Sequence, residues 1–335
     1  MPRTIADLRA LVRDLPEPDA DAIAAARARD GELTKPPGSL GRLEDIAVWM
    51  AGWQAPRPPR AENVSVLIFA GNHGVAARGV SAYPATVTAQ MVGNFANGGA
   101  AINQICRAVG AKLDVQPLSL DQPTADFTVA PAMDEAEVVD AFSTGLGKVE
   151  PQADLICVGE MGIGNTTAAA ALCQAVFGDI DGGWVGPGTG VDAAGLERKE
   201  QALTAAAATH GTALRDGVEA MRRVGGRELA AVAGAVIGAR RARIPVLLDG
   251  FVACAAVAPL HALNPLALDH CLAAHCSAEP GHRRLLEKLG KAPLLDLDLR
   301  LGEGSGAALA VALVKAALAV HTGMATFAEA GVSDA

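Results

Sequence analysis

The stretch Val64–Ala70 reads VSVLIFA and is followed directly by Gly71–Gly74, which reads GNHG. A continuous apolar run of this length, ended by glycine, is typical of a strand that is buried on both faces of a sheet. The polar pair Asn72 and His73 then stands in the loop where the strand ends. This stretch predicts a buried strand with a polar loop at its carboxyl end.

Similar apolar runs alternate with segments of helical spacing along the rest of the chain. Further strands are predicted at 112–120, 154–158 and 245–248, and helices at 1–30, 86–109, 134–150, 227–241 and 307–320. Alternating strands and helices favour a parallel sheet with helices on its faces. We therefore expect an α/β fold with a mainly parallel, Rossmann-like sheet flanked by helices.

The composition argues against several classes of protein. Lys and Arg total 28 against 37 Asp and Glu, and the resulting net charge of −9 argues against a broad nucleic-acid surface. The N-terminus lacks a signal-peptide pattern, and the most apolar run, 307–320, is interrupted by Lys315 and is too short to cross a membrane. Six scattered cysteines without disulfide-like spacing are typical of core residues. We expect a cytoplasmic protein without nucleic-acid or membrane partners.

The segment Arg300–Gly306, which reads RLGEGSG, places one carboxylate, Glu303, between glycines. The leucines at alternate positions of 295–301 predict a strand before it, and 307–320 predicts a buried helix after it. A strand, a glycine-flanked acid and a helix are typical of a loop that presents a carboxylate to a bound molecule. The alternative is an ordinary strand-to-helix turn with a solvated glutamate.

A second glycine-rich loop, Gly159–Thr167, reads GEMGIGNTT and precedes an alanine-rich helix. Backbone N–H groups at a helix N-terminus favour an anion, so the loop suits a phosphate, with Lys199 as a counter-charge. The alternatives are a tight turn capped by Thr166 and a solvated lysine. Glu160 lies in this loop, and if it shares a cavity with Glu303, their repulsion raises the pKa of at least one of them.

Two further groups of residues invite a functional interpretation. Ser81, Tyr83 and Gln90 could line a pocket for an aromatic molecule, or could be ordinary polar positions. His270 and Cys276 flank Cys271 and His275, which are spaced i, i+4 as on one face of a helix. Closed zinc sites normally use tighter paired spacings and a second pair elsewhere, so no metal site is predicted.

The motifs taken together resemble the nicotinate-nucleotide–dimethylbenzimidazole phosphoribosyltransferase family, whose members make the lower-ligand nucleotide of cobalamin. The resemblance runs from about Lys35 to the C-terminus. It depends on seven motifs in register: 34–41 (TKPPGSLG), 71–74 (GNHG), 80–91 (VSAYP and VTAQM), 159–167, 188–190 (GTG), 277–282 (SAEPGH) and 300–306.

The resemblance implies a reaction. Phosphoribose moves from nicotinate mononucleotide to 5,6-dimethylbenzimidazole, giving α-ribazole 5′-phosphate and nicotinate, without a cofactor. Glu303 matches the family's general base, and Glu160 matches a second glutamate of the active site. The remaining matches are, on the nucleotide and phosphate side, Gly162, Gly164, Asn165, Thr166, Gly188, Thr189, Lys199 and Ser277, and around the benzimidazole Ser81, Tyr83, Gln90 and Leu301.

The resemblance also implies a homodimer. The expected domains are a large α/β nucleotide-binding domain at 60–275 and a smaller helical domain, formed by 1–59 and 276–335, that completes the active site. Two positions depart from the family pattern: Pro187 stands where many relatives have arginine, and Asn72 replaces a frequent aspartate. Two other functions stay open, a transferase with a different base acceptor and a non-catalytic nucleotide-binding regulator. The glycine-flanked carboxylates favour an enzyme.

Overall fold

The computed structural model describes residues 1–179 and 181–333. Its main element is a parallel sheet of five strands in the order β2-β1-β3-β4-β5. The strands are β1 (Val64–Ala70), β2 (Ala111–Pro117), β3 (Leu155–Met161), β4 (Val246–Leu248) and β5 (Cys271–Ala273). The α/β class and the parallel sheet are therefore confirmed.

Both faces of the sheet are buried, which explains why the strands read as continuous apolar runs. Successive side chains of a strand point to opposite faces. Leu67 and Phe69 of β1 accordingly join the core on one face, while Val66 and Ile68 join the core on the other. Ser65 is the one polar residue of the strand and is only partly buried.

Helices cover both faces. They are α1 (Ile5–Arg13), α2 (Ala20–Glu32), α3 (Arg42–Gln54), α4 (Thr86–Ala96), α5 (Ala101–Val109), α6 (Glu135–Gly147), α7 (Asn165–Phe177), α8 (Ala193–His210), α9 (Gly217–Val224), α10 (Arg227–Arg241), α11 (Phe251–Leu263), α12 (Pro280–Lys288), α13 (Ser305–Gly323) and α14 (Phe327–Ala330). Short 3₁₀ helices form at Gly74–Arg78, Gly211–Arg215 and Pro265–Leu268. The predicted bounds of β1 and α10 agree with the structure residue for residue. The predicted helices 1–30 and 86–109 each divide in two, at a proline-rich and a glycine-containing segment respectively.

Helix α10 lies unusually close to α6. A Cβ atom on Gly234 of α10 would overlap the carbonyl oxygen of Phe142, and one on Gly145 of α6 would overlap that of Ala231. Glycine at these positions lets the two backbones touch. This contact sets the thickness of the helical layer on that face of the sheet.

Two local predictions are wrong. The strand predicted for the alternating leucines at 295–301 is limited to β7 (Leu295–Asp296), which pairs with β6 (His275–Cys276). Beyond it the chain turns at Asp298, whose φ is +55°, and Leu297 and Leu301 are 53% and 51% exposed. The leucine period therefore does not mark a buried face.

The second wrong prediction is a helix with Cys271 and His275 on one face. Both residues lie in strands instead, Cys271 in β5 and His275 in β6. His270, which belongs to the same alternative, is buried, and its Nε2 is hydrogen bonded to Val236 O at 2.9 Å.

Helix α13 is longer than the predicted 307–320. Within the described residues it is the one helix with the length and apolar composition of a membrane span, and half of its most apolar window is buried. It packs against α3 and α5 and against the sheet. These contacts are those of a core helix. The division into domains at 1–59, 60–275 and 276–335 stays a prediction.

The cysteines lie in the protein interior. Cys106, Cys157, Cys173, Cys254, Cys271 and Cys276 are all free and buried. Burial raises the pKa of each thiol, to about 11 for Cys106 and about 12 for Cys271. The prediction that they are core residues is confirmed.

Candidate active site

The principal cleft lies at the carboxyl edge of the sheet. In the strand order β2-β1-β3-β4-β5 the chain leaves β1 toward β2 on one side, and the later strands continue from β3 on the other side. In open α/β sheets ligands bind outside the carboxyl ends of the strands, at this kind of reversal. The cleft is lined by residues from the loops after β3, β4 and β6.

Glu160 and Glu303 meet at this edge. Glu160 is the penultimate residue of β3 and is paired in register with Phe69 of β1. The Glu303 N–H donates to the backbone oxygen of Glu160 at 3.3 Å. Both side chains are buried, Glu160 at 7% exposure and Glu303 at 5%. Two carboxylates that are 143 positions apart in sequence therefore share one site.

The loop Gly302–Gly304 rests directly on β3. A Cβ atom on Gly159 would overlap the backbone nitrogen of Gly304, so only glycine allows this approach. Glu303 itself has a φ of +61°, in the left-handed region that non-glycine residues rarely adopt. The loop thus holds Glu303 in one defined orientation at the end of β3.

The surroundings raise the pKa of both acids. Burial is the largest cause for each, followed by the negative charge of Asp249. The pKa of Glu303 rises to about 7 and that of Glu160 to about 8, and the charge of Glu303 adds to the shift of Glu160. Asn165 Nδ2 donates to Glu160 Oε2, which partly offsets this shift. A carboxylate with a pKa near neutrality can accept a proton and release it again at physiological pH.

The start of α7, beside Glu160, suits an anion. Helix α7 begins after Gly164 without a side-chain cap, and Thr166 lies in its first turn beside Lys199. Lys199 is 2% exposed and donates to Thr166 Oγ1 at 3.0 Å and Gly186 O at 2.8 Å. An ammonium has three donors, so one is left for a ligand. Burial lowers the pKa of Lys199.

Most residues predicted for the site line the cleft. The predicted catalytic residue Glu160 is one of them, and those predicted on the nucleotide and phosphate side are Gly162, Gly164, Asn165, Thr166, Gly188, Thr189, Lys199 and Ser277. Of the residues predicted around the benzimidazole, Ser81 and Leu301 also line it. Glu303 follows the lining residue Gly302 and is itself 5% exposed.

Tyr83 and Gln90 do not line the cleft. Tyr83 is 52% exposed in the loop before α4, and Gln90 is exposed on α4. The Tyr83 N–H is hydrogen bonded to Ser81 Oγ at 3.2 Å, which ties this loop to the cleft wall. In this conformation both side chains are at the mouth of the site rather than inside it.

Pro187 lines the cleft as well, and a cation lies close to it. Arg300 Nη1 donates to Gly188 O at 3.4 Å, so the guanidinium reaches the loop that follows Pro187. Asn72 carries no charge, and its side-chain amide is used within the protein: Nδ2 donates to Leu120 O at 2.8 Å.

Three buried acids near the cleft were not predicted from the sequence as site residues. Asp249 follows β4, and its position at the carboxyl end of a predicted strand is a usable signal. Glu279 lines the cleft, is 7% exposed, and its two carboxylate oxygens have no hydrogen-bond partner within the described residues. Glu228, in the first turn of α10, pairs with His73, and its charge raises the pKa of Glu160. Its neighbour Arg227 makes that segment look like ordinary helix surface.

The chain is similar to known proteins over its whole length. A family model described as phosphoribosyltransferase matches residues 15–332. The nicotinate-nucleotide–dimethylbenzimidazole phosphoribosyltransferase of Novosphingobium aromaticivorans is 61% identical over 331 residues, which cover 99% of this chain and 98% of that protein. The protein of the same name from Roseobacter denitrificans is 59% identical over the same shares. The crystal structure of CobT from Thermus thermophilus superposes with a TM-score of 0.87 at 42% identity, covering 94% of this chain and all of that one.

Proposed function

The chain belongs to this phosphoribosyltransferase family, and we propose that it transfers phosphoribose from nicotinate mononucleotide to 5,6-dimethylbenzimidazole, giving α-ribazole 5′-phosphate and nicotinate. The observation that carries this proposal is the cleft itself. Two buried carboxylates with pKa values near 7 and 8 stand at the same edge of the sheet as the start of α7 and Lys199. A protein that only binds a phosphate gains nothing from two acids beside its ligand, because their negative charges repel it.

The phosphate end of the donor binds at α7. The free N–H groups at the start of a helix and the helix dipole both favour an anion. Lys199 supplies one N–H beyond its two protein hydrogen bonds. Asn165 and Thr166 form the first turn, with Gly188 and Thr189 across the cleft and Ser277 at its side.

Nicotinate is a good leaving group because of the positive charge on its ring nitrogen in the nucleotide. The ring nitrogen of the nucleotide is already positive, so the bond to ribose breaks without protonation by an acid or polarisation by a metal. The ribose gains oxocarbenium character, which a nearby carboxylate stabilises. Glu160 is the carboxylate for this role, because it lies on the wall of the cleft beside the anion site. The apolar surroundings limit attack by water.

Glu303 is the general base for the incoming ring. The benzimidazole nitrogen that attacks ribose becomes positive unless the second ring nitrogen loses its proton, and a buried carboxylate with a pKa of about 7 is matched to that task. Attack opposite to the departing base converts a β-nucleotide into an α-nucleotide. Ser81 and Leu301 contact the benzimidazole in this proposal, and Tyr83 and Gln90 close over it from the mouth.

A direct assay tests the activity. The protein is incubated with nicotinate mononucleotide and dimethylbenzimidazole, and nicotinate and the α-ribotide are followed by chromatography. We expect both products in equal amounts. Nicotinate without a ribotide would indicate a hydrolase, and neither product would overturn the proposal. Purines and other benzimidazoles, tested as acceptors in the same assay, show whether the protein is a transferase with a different acceptor.

The homodimer remains a prediction from the family resemblance, and the cytoplasmic location remains a prediction from the composition. Sedimentation of the full chain measures the first of them. A single species with the mass of one chain, 34.0 kDa, would contradict it.

A further inference from the structure

Asp249 lies between the sheet and the loop that carries Glu303. It is the first residue after β4, and its side chain is fully buried, at 0% exposure. Oδ2 accepts from the Gly304 N–H at 3.0 Å, and Oδ1 accepts from the Ala307 N–H at 2.9 Å. One carboxylate thus binds both the loop and the first turn of α13.

We propose that Asp249 is a positioning residue for the reaction, which fixes the Glu303 loop through two backbone hydrogen bonds and places a second carboxylate close to that of Glu303. The inference rests on the proposed function, in which Glu303 is the base. It assigns no contact between Asp249 and a substrate, because Asp249 does not line the cleft.

The hydrogen bonds determine where Glu303 points. The Gly304 N–H is hydrogen bonded to Asp249, and Glu303, the residue before Gly304, has a φ of +61°. A backbone in this region persists only where the surroundings hold it. The Glu303 N–H bond to Glu160 O, at 3.3 Å, is long for a hydrogen bond, so Asp249 makes the shorter contacts to the loop.

The charge determines how strongly Glu303 binds a proton. After burial, Asp249 is the cause of the raised pKa of Glu303. The titratable groups that face this pair from the packed elements are Glu160 and Cys157 of β3, Glu228 of α10, Cys254 of α11, His275 of β6 and His282 of α12. The histidine ring close to Asp249 is that of His275, whose Nε2 lies 3.5 Å from Oδ1.

The test compares pH profiles of kcat/KM, which report the groups of the free enzyme. Glu303 accepts a proton and Glu160 stabilises positive charge only when ionised, so the rate rises with pH through the pKa values of both acids, and Asp249 raises both values. Asp249→Asn removes the charge, and we expect the midpoint of this rise to move by about one unit to lower pH. The amide can accept only one of the two N–H bonds, so kcat falls about a hundredfold. An unchanged midpoint, also in a His275→Gln background that removes the nearest histidine, would overturn the inference.

Asp154→Asn is the matched control. Asp154 is likewise buried, at 3% exposure, and accepts from two backbone N–H groups, those of Glu62 and Asn63, but it lies at the opposite edge of the sheet. We expect the midpoint to stay at its parental pH in this variant. A shift equal to that of Asp249→Asn would mean that lost stability, rather than charge, moves the midpoint.

If Asp249→Asn does not fold, Asp249→Glu tests the positioning role instead. It keeps the charge but displaces it by one methylene, so the midpoint stays and kcat falls. Parental kcat in this variant would overturn the positioning role. Nicotinate release by the parent protein is scored separately, and its absence overturns the proposed function together with this inference.

Discussion

Glu303 combines two features that are uncommon for one residue: a left-handed backbone and a buried carboxylate. Each is unfavourable by itself, because a non-glycine residue with positive φ is strained and a buried charge loses its hydration. Both persist because Gly159 admits the loop and Asp249 binds it. The residue is held in a position that serves chemistry rather than stability.

The residue-scale prediction concerns Glu303→Gln. Glutamine has nearly the same shape and retains the backbone, but it cannot take the proton of the benzimidazole. We expect kcat to fall by about two decades or more, the size expected for a lost general base. Steady-state kinetics with both substrates measures it, and the KM for nicotinate mononucleotide serves as control, because the phosphate end is untouched. Turnover close to that of the parent would remove Glu303 from the mechanism.

At the scale of elements, the contact between α6 and α10 supports the sheet beneath the cleft. Helix α10 also packs on β1 and on β3, whose carboxyl end contributes Glu160 to the cleft. The helix begins with Arg227 and Glu228, and Glu228 reaches His73 in the loop after β1. The position of α10 therefore affects the loops at the cleft as well as the core.

Gly234→Ala tests this contact. The added methyl group would overlap the Phe142 carbonyl oxygen, so the helices must separate. Overpacking of this kind costs about 1–3 kcal/mol of the free energy of unfolding. Gly93→Ala is the control: Gly93 is inside α4 with nothing within 4 Å of the added carbon, and we expect a gain of about 0.5–1 kcal/mol. Urea denaturation measures both. Equal effects would mean that the close contact does not support the fold.

Sequence patterns predict secondary-structure elements better than they predict which distant residues contact each other in the fold. The apolar run of β1 and the helical period of α10 are local, and both were predicted to the residue. The pairing of Asp249 with Gly304 joins positions 55 apart and leaves no local signal. The alternating leucines at 295–301 mislead for a related reason: alternation predicts a strand, but only a neighbouring strand can pair with it, and beyond Asp296 there is none among the described residues.

At the scale of the molecule, the site collects loops from the whole chain. Residues from 80 to 302 line one cleft, and the sheet order brings them to one edge. The sequence could identify these loops because glycine follows predicted strands. It could not identify Glu228 or Glu279, whose roles depend on burial by distant segments. The concentration of acids at this edge has a consequence for stability.

The whole-molecule prediction concerns pH. Folding raises the pKa of Glu160 from 4.5 to about 8, so the folded state binds the proton more tightly than the unfolded chain does. The free energy of unfolding therefore falls as pH rises from about 4.5 through 8, and is constant with respect to this group above that range. Glu160→Gln removes the effect while its amide oxygen can still accept from Asn165.

We expect Glu160→Gln to be more stable than the parent, with the difference larger at pH 8.5 than at pH 6 by on the order of 2–3 kcal/mol. Urea denaturation of both proteins at the two pH values measures it, and taking the difference cancels the other titrating groups. A difference that does not change with pH would mean that Glu160 is ionised in the folded protein at pH 6. Greater stability with lower activity is the usual exchange at a catalytic group.

The buried thiols provide a built-in probe of opening. Thiolate, rather than thiol, reacts with alkylating agents, and all six cysteines are both shielded and held in the thiol form by their raised pKa. Cys254 of α11 belongs to the core on one face of the sheet, whereas Cys106 of α5 and Cys157 of β3 belong to the core on the other. Mass spectrometry of pulse-labelled protein would therefore time the exposure of each layer separately, without any added tag. The order of labelling shows whether the two hydrophobic cores unfold together or one after the other.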